Sequence, residues 1–154
     1  MLQDAIETQL WKLLPPSMSL AHPSVARPGA CHDRQVTLTV LLVDDEPSAL
    51  ALAARVVQQM GLEVAATASD AGAAIEAAND TRPDAAVVDV GLPDRDGIDL
   101  AYDLAALPWG PRVVLMSTDR DAISAINARH PRDSLPFVPK EELARGRLRR
   151  LLSD

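Results

Sequence analysis

From Val36 onward the chain alternates short, β-branched apolar runs with longer stretches of helical periodicity, and few folds accommodate that alternation. The run TLTVLLVD (residues 37–44) is apolar almost throughout, as a strand buried on both faces requires. A helix is predicted over residues 47–60, with Pro47 in its first turn and Gly61 as its stop. Residues 62–68 read as a second strand, followed by a helix that Ser69 or Asp70 can cap and that runs to about Asn79. Residues 85–90 form a third strand and 97–107 a third helix. Residues 112–117 form a fourth strand, with a fourth helix near 121–130. A short fifth strand over 135–138 and a final helix over 141–152 complete the pattern. Five βα units in succession predict an α/β fold, a doubly wound five-stranded parallel sheet with helices on both faces and right-handed crossovers.

Residues 1–35 do not share the pattern, so the expected organisation is an N-terminal extension followed by one domain over 36–154. Pro15, Pro16, Pro23 and Pro28, with serines between them, give the extension a loop composition. Ile6, Leu10, Leu13 and Leu14 recur at helical spacing, so residues 2–14 are either part of a flexible segment or a short partner-binding helix. Charges in the extension cancel, which places the whole formal net charge of −7 on the domain. That acidity argues against general nucleic-acid binding, and 3% aromatics leave no stacking surface for single strands. No apolar run is long enough to span a membrane, the N-terminus lacks a secretory pattern, and Cys31 stands alone. A cytoplasmic protein without membrane insertion is the expectation.

Ligands of open parallel sheets bind outside the carboxyl ends of the strands, near the switch in strand order. Here those ends carry Asp44-Asp45-Glu46, Asp89, Ser117-Thr118 and Lys140. Like charges about 4 Å apart repel by roughly 4 kcal/mol at an effective dielectric near 20, so crowded carboxylates raise a pKa or hold a cation. An all-oxygen donor set without His or Cys favours Mg²⁺, and open positions on that ion suit phosphoryl chemistry. Lys140 would place a positive charge against phosphate oxygens, and Ser117 a hydrogen-bond donor. Each residue also has a plainer role. The acidic run after the first strand can cap a helix, Asp89 can open a turn, Ser117-Thr118 can cap the fourth helix, and lysines usually lie on surfaces. Arrival of all four groups at one sheet edge is what coincidence does not explain.

The segments VLLVDDEP, RPDAAVVDVGLPDRDG, VVLMST and PFVPK, in that order, resemble the receiver domain of bacterial response regulators. The resemblance covers about three quarters of the chain, roughly residues 36–152, and implies the strand order 2-1-3-4-5. It implies that Asp89 is the phosphoacceptor, served by a sensor histidine kinase or phosphotransfer protein. It further implies a Mg²⁺ site formed by Asp45, Asp89 and the Gly91 backbone carbonyl, with Asp44 acting directly or through water. Lys140 would pair with the phosphoryl oxygens and Ser117 would bond them after transfer. Phe137 matches the aromatic that turns inward when the hydroxyl moves, and reads equally as a core side chain. Two positions depart from the family's habit: Glu141 replaces a common Pro after the lysine, and Thr118 replaces a small residue. The polar stretch 119–135, with Pro131, predicts a short fourth helix.

The resulting expectation is a single-domain response regulator, not a conventional enzyme, which catalyses at most its own aspartyl phosphorylation and dephosphorylation. Its signal would pass to an unknown downstream protein, without direct DNA binding. The face of fourth helix, fifth strand and fifth helix would carry that contact or pair two copies. Two alternatives stand beside it. One is a receiver-like interaction scaffold that works without phosphorylation. The other is a Mg²⁺-dependent phosphohydrolase, which Asp89-Val90-Gly91 disfavours because it lacks a second Asp two residues on. The arginines of ARGRLRRLL read as a solvated face that complements the last helix's dipole rather than a nucleic-acid patch. His22, His32 and His130 have no ligand partners at useful spacing.

Overall fold

The computed structural model describes residues 36–153. The expected extension over residues 1–35, with its helix at 2–14, lies outside the described residues. The elements alternate as β1 (Thr39–Val43), α1 (Pro47–Gln59), β2 (Glu63–Ala68), α2 (Ala71–Thr81), β3 (Ala85–Asp89) and α3 (Gly97–Ala105). They continue as β4 (Arg112–Ser117), α4 (Ala122–Arg129), β5 (Phe137–Pro139), a 3-10 helix (Lys140–Arg145) and α5 (Arg147–Ser153). All strands are parallel, in the order β2-β1-β3-β4-β5. Among the described residues no helix is long and apolar enough to cross a membrane.

Strand alternation sorts the apolar residues into two layers. Val40, Leu42, Val87, Val114, Met116 and Val138 face Val56 and Val57 of α1 and Leu148 and Leu152 of α5. Leu41, Val43, Val88, Leu115 and Phe137 face Ala74 and Ala78 of α2, Leu100 and Leu104 of α3, and Ile126 of α4. Both sheet faces are thus covered, which explains why the central strands read as unbroken apolar runs. The alanines of α2 leave no bulk between that helix and the sheet, so a core with few aromatics still packs closely.

Polar side chains fix the ends. Asp84 accepts from the Thr39 amide at 2.8 Å and the Thr39 hydroxyl at 2.9 Å, which joins the starts of β1 and β3 and holds their register. Asp70 caps α2 through the Ala73 amide at 2.8 Å, as the sequence predicted for Ser69 or Asp70. Asp96 caps α3 through the Ile98 amide at 2.8 Å, and its other oxygen meets Arg129 at the end of α4 at 2.7 Å. Tyr102 of α3 stacks on His130 with ring centroids 3.5 Å apart, so α3 and α4 are clasped at two points.

The C-terminal boundaries correct the sequence reading. The fifth strand starts at Phe137, not at residue 135, and runs on to Pro139. β5 is an edge strand, where proline costs no ladder bond on its outer side. The predicted helix over 141–152 is two pieces, because Gly146 adopts φ 77° between the 3-10 helix and α5. A left-handed residue ends a helical run, and glycine takes that conformation without a Cβ clash.

Candidate functional site

Strand register brings the polar strand ends together. Asp89 is the last residue of β3, paired with Met116, and the Val90 amide continues the ladder to the Met116 carbonyl at 3.0 Å. Asp44 follows β1 directly, with its amide on the Ala68 carbonyl at 3.0 Å. Ser117 ends β4 opposite Pro139, so Lys140 leaves the sheet beside it. Asp44, Asp89 and Ser117 lie at the ends of strands paired on both sides, which gives these side chains little freedom to separate.

Asp44 is fully buried, and Asp89 and Ser117 are the other buried polar residues described. The Lys140 Nζ lies 2.6 Å from Asp44 Oδ2 and 3.4 Å from Asp89 Oδ1. One ammonium therefore serves two carboxylates, and the third, Asp45, is exposed at the rim. Burial pushes the Asp89 carboxyl up, and the nearby charge of Asp44 adds to that. Lys140 and an amide bond from Gly91 oppose the rise without cancelling it. Burial works to lower the Lys140 ammonium, but its hydrogen bonding and charge contacts with Asp44 and Asp89 win and hold it above its ordinary value.

A divalent cation fits this donor set. Carboxylate oxygens of Asp44, Asp45 and Asp89 lie within 4.8 Å of one another. Asp44 Oδ1 accepts from the Glu46 amide at 3.0 Å, which aims the carboxylate. Its buried Oδ2 has the Lys140 Nζ at 2.6 Å and no other partner, so one of its two lone pairs remains for a cation. Oxygen donors alone, with no imidazole or thiolate among them, suit a hard ion such as Mg²⁺.

The remaining sequence candidates fall around this cluster. Gly91 sits next to it, where a Cβ would lie 3.8 Å from Asp89 Oδ2, and its strand-like bridge to Asp96 folds the β3–α3 loop back on itself. Ser117 Oγ accepts from the Asp119 amide at 3.0 Å, which fixes the hydroxyl oxygen. Thr118 is exposed, and Phe137 is buried in the layer under α2, α3 and α4.

Asp94, Gly97 and the pairing of Arg120 with Glu141 were not read from the sequence as shaping the site, although Glu141 itself was noted there as a departure. Asp94 accepts from the Ala71 amide at 2.9 Å and the Gly72 amide at 3.2 Å, tying the loop after Asp89 to the start of α2. Those amide bonds hold its carboxyl below the usual range. Gly97 admits no side chain, since a Cβ there would lie 2.0 Å from the Asp89 carbonyl oxygen. Arg120 and Glu141 form an ion pair beside the pocket, with Nε and Nη2 at 3.0 and 2.9 Å from Oε1. An Asp in a tight acidic loop and a Gly opening a helix were the available signals for the first two. The third had none, because its partners are 21 residues apart.

Comparison with known proteins agrees with this fold. A sequence model of the response regulator receiver domain matches residues 40–149. The chain is 32% identical over 127 residues to the transcriptional regulatory protein PdtaR of Mycobacterium tuberculosis, covering 77% of this chain and 62% of that one. It is 40% identical over 86 residues to the probable transcriptional regulatory protein TcrX of the same organism, covering 56% and 36%. The chain thus spans between 36% and 62% of the length of these two relatives. Among solved structures, the chemotaxis protein CheY4 of Vibrio cholerae superposes with a TM-score of 0.64 at 22% identity, covering 75% of this chain and 99% of that one. A LuxR-family two-component response regulator from Aurantimonas gives 0.62 at 27% identity, covering 75% and 85%.

Proposed function

This chain belongs to the response regulator receiver domain family, and from that premise we propose that Asp89 accepts a phosphoryl group from the phosphohistidine of a sensor kinase or phosphotransfer protein. One observation carries the reading: Asp44, Asp45, Asp89 and Lys140 gather at the carboxyl edge of the sheet, two of the carboxylates within reach of one ammonium.

An Asp89 carboxylate oxygen attacks phosphorus in line, the P–N bond breaks, and the imidazole leaves with the electron pair. Burial helps, because a carboxylate with a raised pKa is the more basic nucleophile. Lys140 draws the equatorial oxygens and keeps the two neighbouring carboxylates from repelling the incoming anion. Asp45, Asp89 and the Gly91 backbone carbonyl would hold Mg²⁺, with Asp44 acting directly or through water, and the ion would supply further neutralisation of those oxygens. Ser117 Oγ accepts from the Asp119 amide, so its own proton is available for the phosphoryl group. Pulling Ser117 toward that group draws on the β4–α4 loop and on the space beside Phe137. The change would be read on the face of α4, β5 and α5 by a downstream protein or a second copy.

The test is intact-mass spectrometry after treatment with a small phosphodonor and Mg²⁺. We expect one phosphoryl adduct, labile to base as an acyl phosphate is, and absent from Asp89→Ala. An adduct that survives in Asp89→Ala would reject the assignment. No adduct on the wild type would favour a scaffold that works without phosphorylation.

A further inference from the structure

The loop between β4 and α4 is built as one piece. Its first residue, Ser117, accepts from the Asp119 amide at 3.0 Å, and Asp119 Oδ1 accepts from the Asp121 amide at 2.9 Å. Ser117 therefore cannot shift toward Asp89 without either breaking the first of these bonds or carrying residues 118–121 along. Arg120 lies inside that piece, and its guanidinium holds Glu141, the residue that follows Lys140. The pair joins the segment bearing the site's hydroxyl to the segment bearing its amine. Both side chains are solvated, 70% and 47% exposed, so the contact adds little to global stability. It can still bias a small local motion, because one weak tie is a sizeable share of what holds a loop.

We infer that Arg120 and Glu141 are positioning residues for the phosphoryl pocket, a latch that holds the β4–α4 loop in its resting place and slows phosphoryl transfer to Asp89. The inference rests on the phosphoacceptor reading for its effect on rate. Its effect on the loop stands independently. With the latch closed, Ser117 stays on Asp119 and the loop stays docked against the end of β5. With it open, the Ser117–Asp119 and Asp119–Asp121 bonds open more often and Ser117 is free to move toward the incoming oxygens. Glu141, the departure from the family's usual proline, is what gives Arg120 a partner.

Two measurements test it on the full chain. Adduct formation from phosphoramidate at saturating Mg²⁺ should run about two- to fivefold faster in Arg120→Gln and in Glu141→Gln. The charge-reversed double variant, Arg120→Glu with Glu141→Arg, should return to the wild-type rate, which a merely structural defect would not do. Raising salt to about 1 M should speed the wild type and the charge-reversed double variant but not the single variants, since only those two have the exposed pair to screen. Without any phosphodonor, hydrogen exchange at the Asp119 and Asp121 amides should rise by a similar factor in both single variants. Unchanged exchange overturns the latch whatever the phosphorylation chemistry. A wild type that exchanges as expected yet forms no adduct leaves the loop tie standing and removes both its proposed role in rate and the phosphoacceptor reading. A wild type that reacts, with single variants that react no faster, overturns the latch and leaves the phosphoacceptor intact.

Discussion

Asp89 is held at a cost. It is buried, it lies near the buried Asp44 carboxylate, and Lys140 compensates it at 3.4 Å while standing closer to Asp44. The net effect raises its pKa, so the folded chain binds that proton more readily than the unfolded one. Ionised Asp89 therefore lowers stability at neutral pH, and the deficit disappears as the pH falls through its raised folded-state value. Asp89→Asn keeps the shape and removes the charge. At pH 7 without metal we expect it to melt higher than the wild type, by about 1 kcal/mol or roughly 4 °C. The gap should close as the pH drops below the ordinary carboxylate value of 3.8. Thermal melts across pH decide this, and an Asn variant that melts lower at pH 7 would mean that the Lys140 contact outweighs burial. Asp44, Asp89 and Lys140 were legible in the sequence because each stands where an apolar run stops. The uneven sharing of Lys140 between two carboxylates was not, since it depends on side-chain directions that no spacing encodes.

At the level of elements, α3 is placed by a missing side chain. Gly97 opens that helix with its amide on the Val90 carbonyl at 3.0 Å, and a Cβ would lie 2.8 Å from both the Val90 Cα and its carbonyl oxygen, besides the Asp89 contact. These are backbone atoms of the segment that holds Asp89, and they cannot swing aside as a flexible side chain could. Gly97→Ala should cost about 3 kcal/mol by overpacking, seen as a lower denaturant midpoint with an unchanged slope. A cost under about 0.5 kcal/mol, the range of ordinary surface changes, would show that α3 relaxes freely. The sequence located every strand and four of the helices, because β-branched runs and helical spacing differ in period. It failed at the C-terminal end, where β5 has three residues and Gly146 splits a pattern that is helical on both sides. A glycine inside a helical pattern is a stop signal, so that break was readable. The 3-10 geometry before it was not.

For the molecule as a whole, the strand order decides where function sits. The chain turns outward to β2 on one side of β1 and to β3 on the other, and the crevice at that switch is flanked by Asp44 and Asp45 on one strand end and Asp89 on the next. Alternation in the sequence implied a parallel sheet, but several orders satisfy it, and only the resemblance to receiver domains implied this one. The acidic balance of −7 adds to the same conclusion, since a fold that repels itself and concentrates carboxylates in one crevice gains by holding a divalent ion. A ligand that binds only the folded state stabilises it by mass action, by about 2.7 kcal/mol at a hundredfold excess over its Kd. Mg²⁺ should therefore raise the melting temperature of the wild type in a saturable way. Asp45 offers the clean control, because it is exposed while Asp44 and Asp89 are buried, so Asp45→Ala can remove a ligand without opening the core. We expect that variant to melt close to the metal-free wild type and to gain little from Mg²⁺ over the same range. If wild type and variant gain equally, the ion binds elsewhere on the acidic surface and the crevice is not its site.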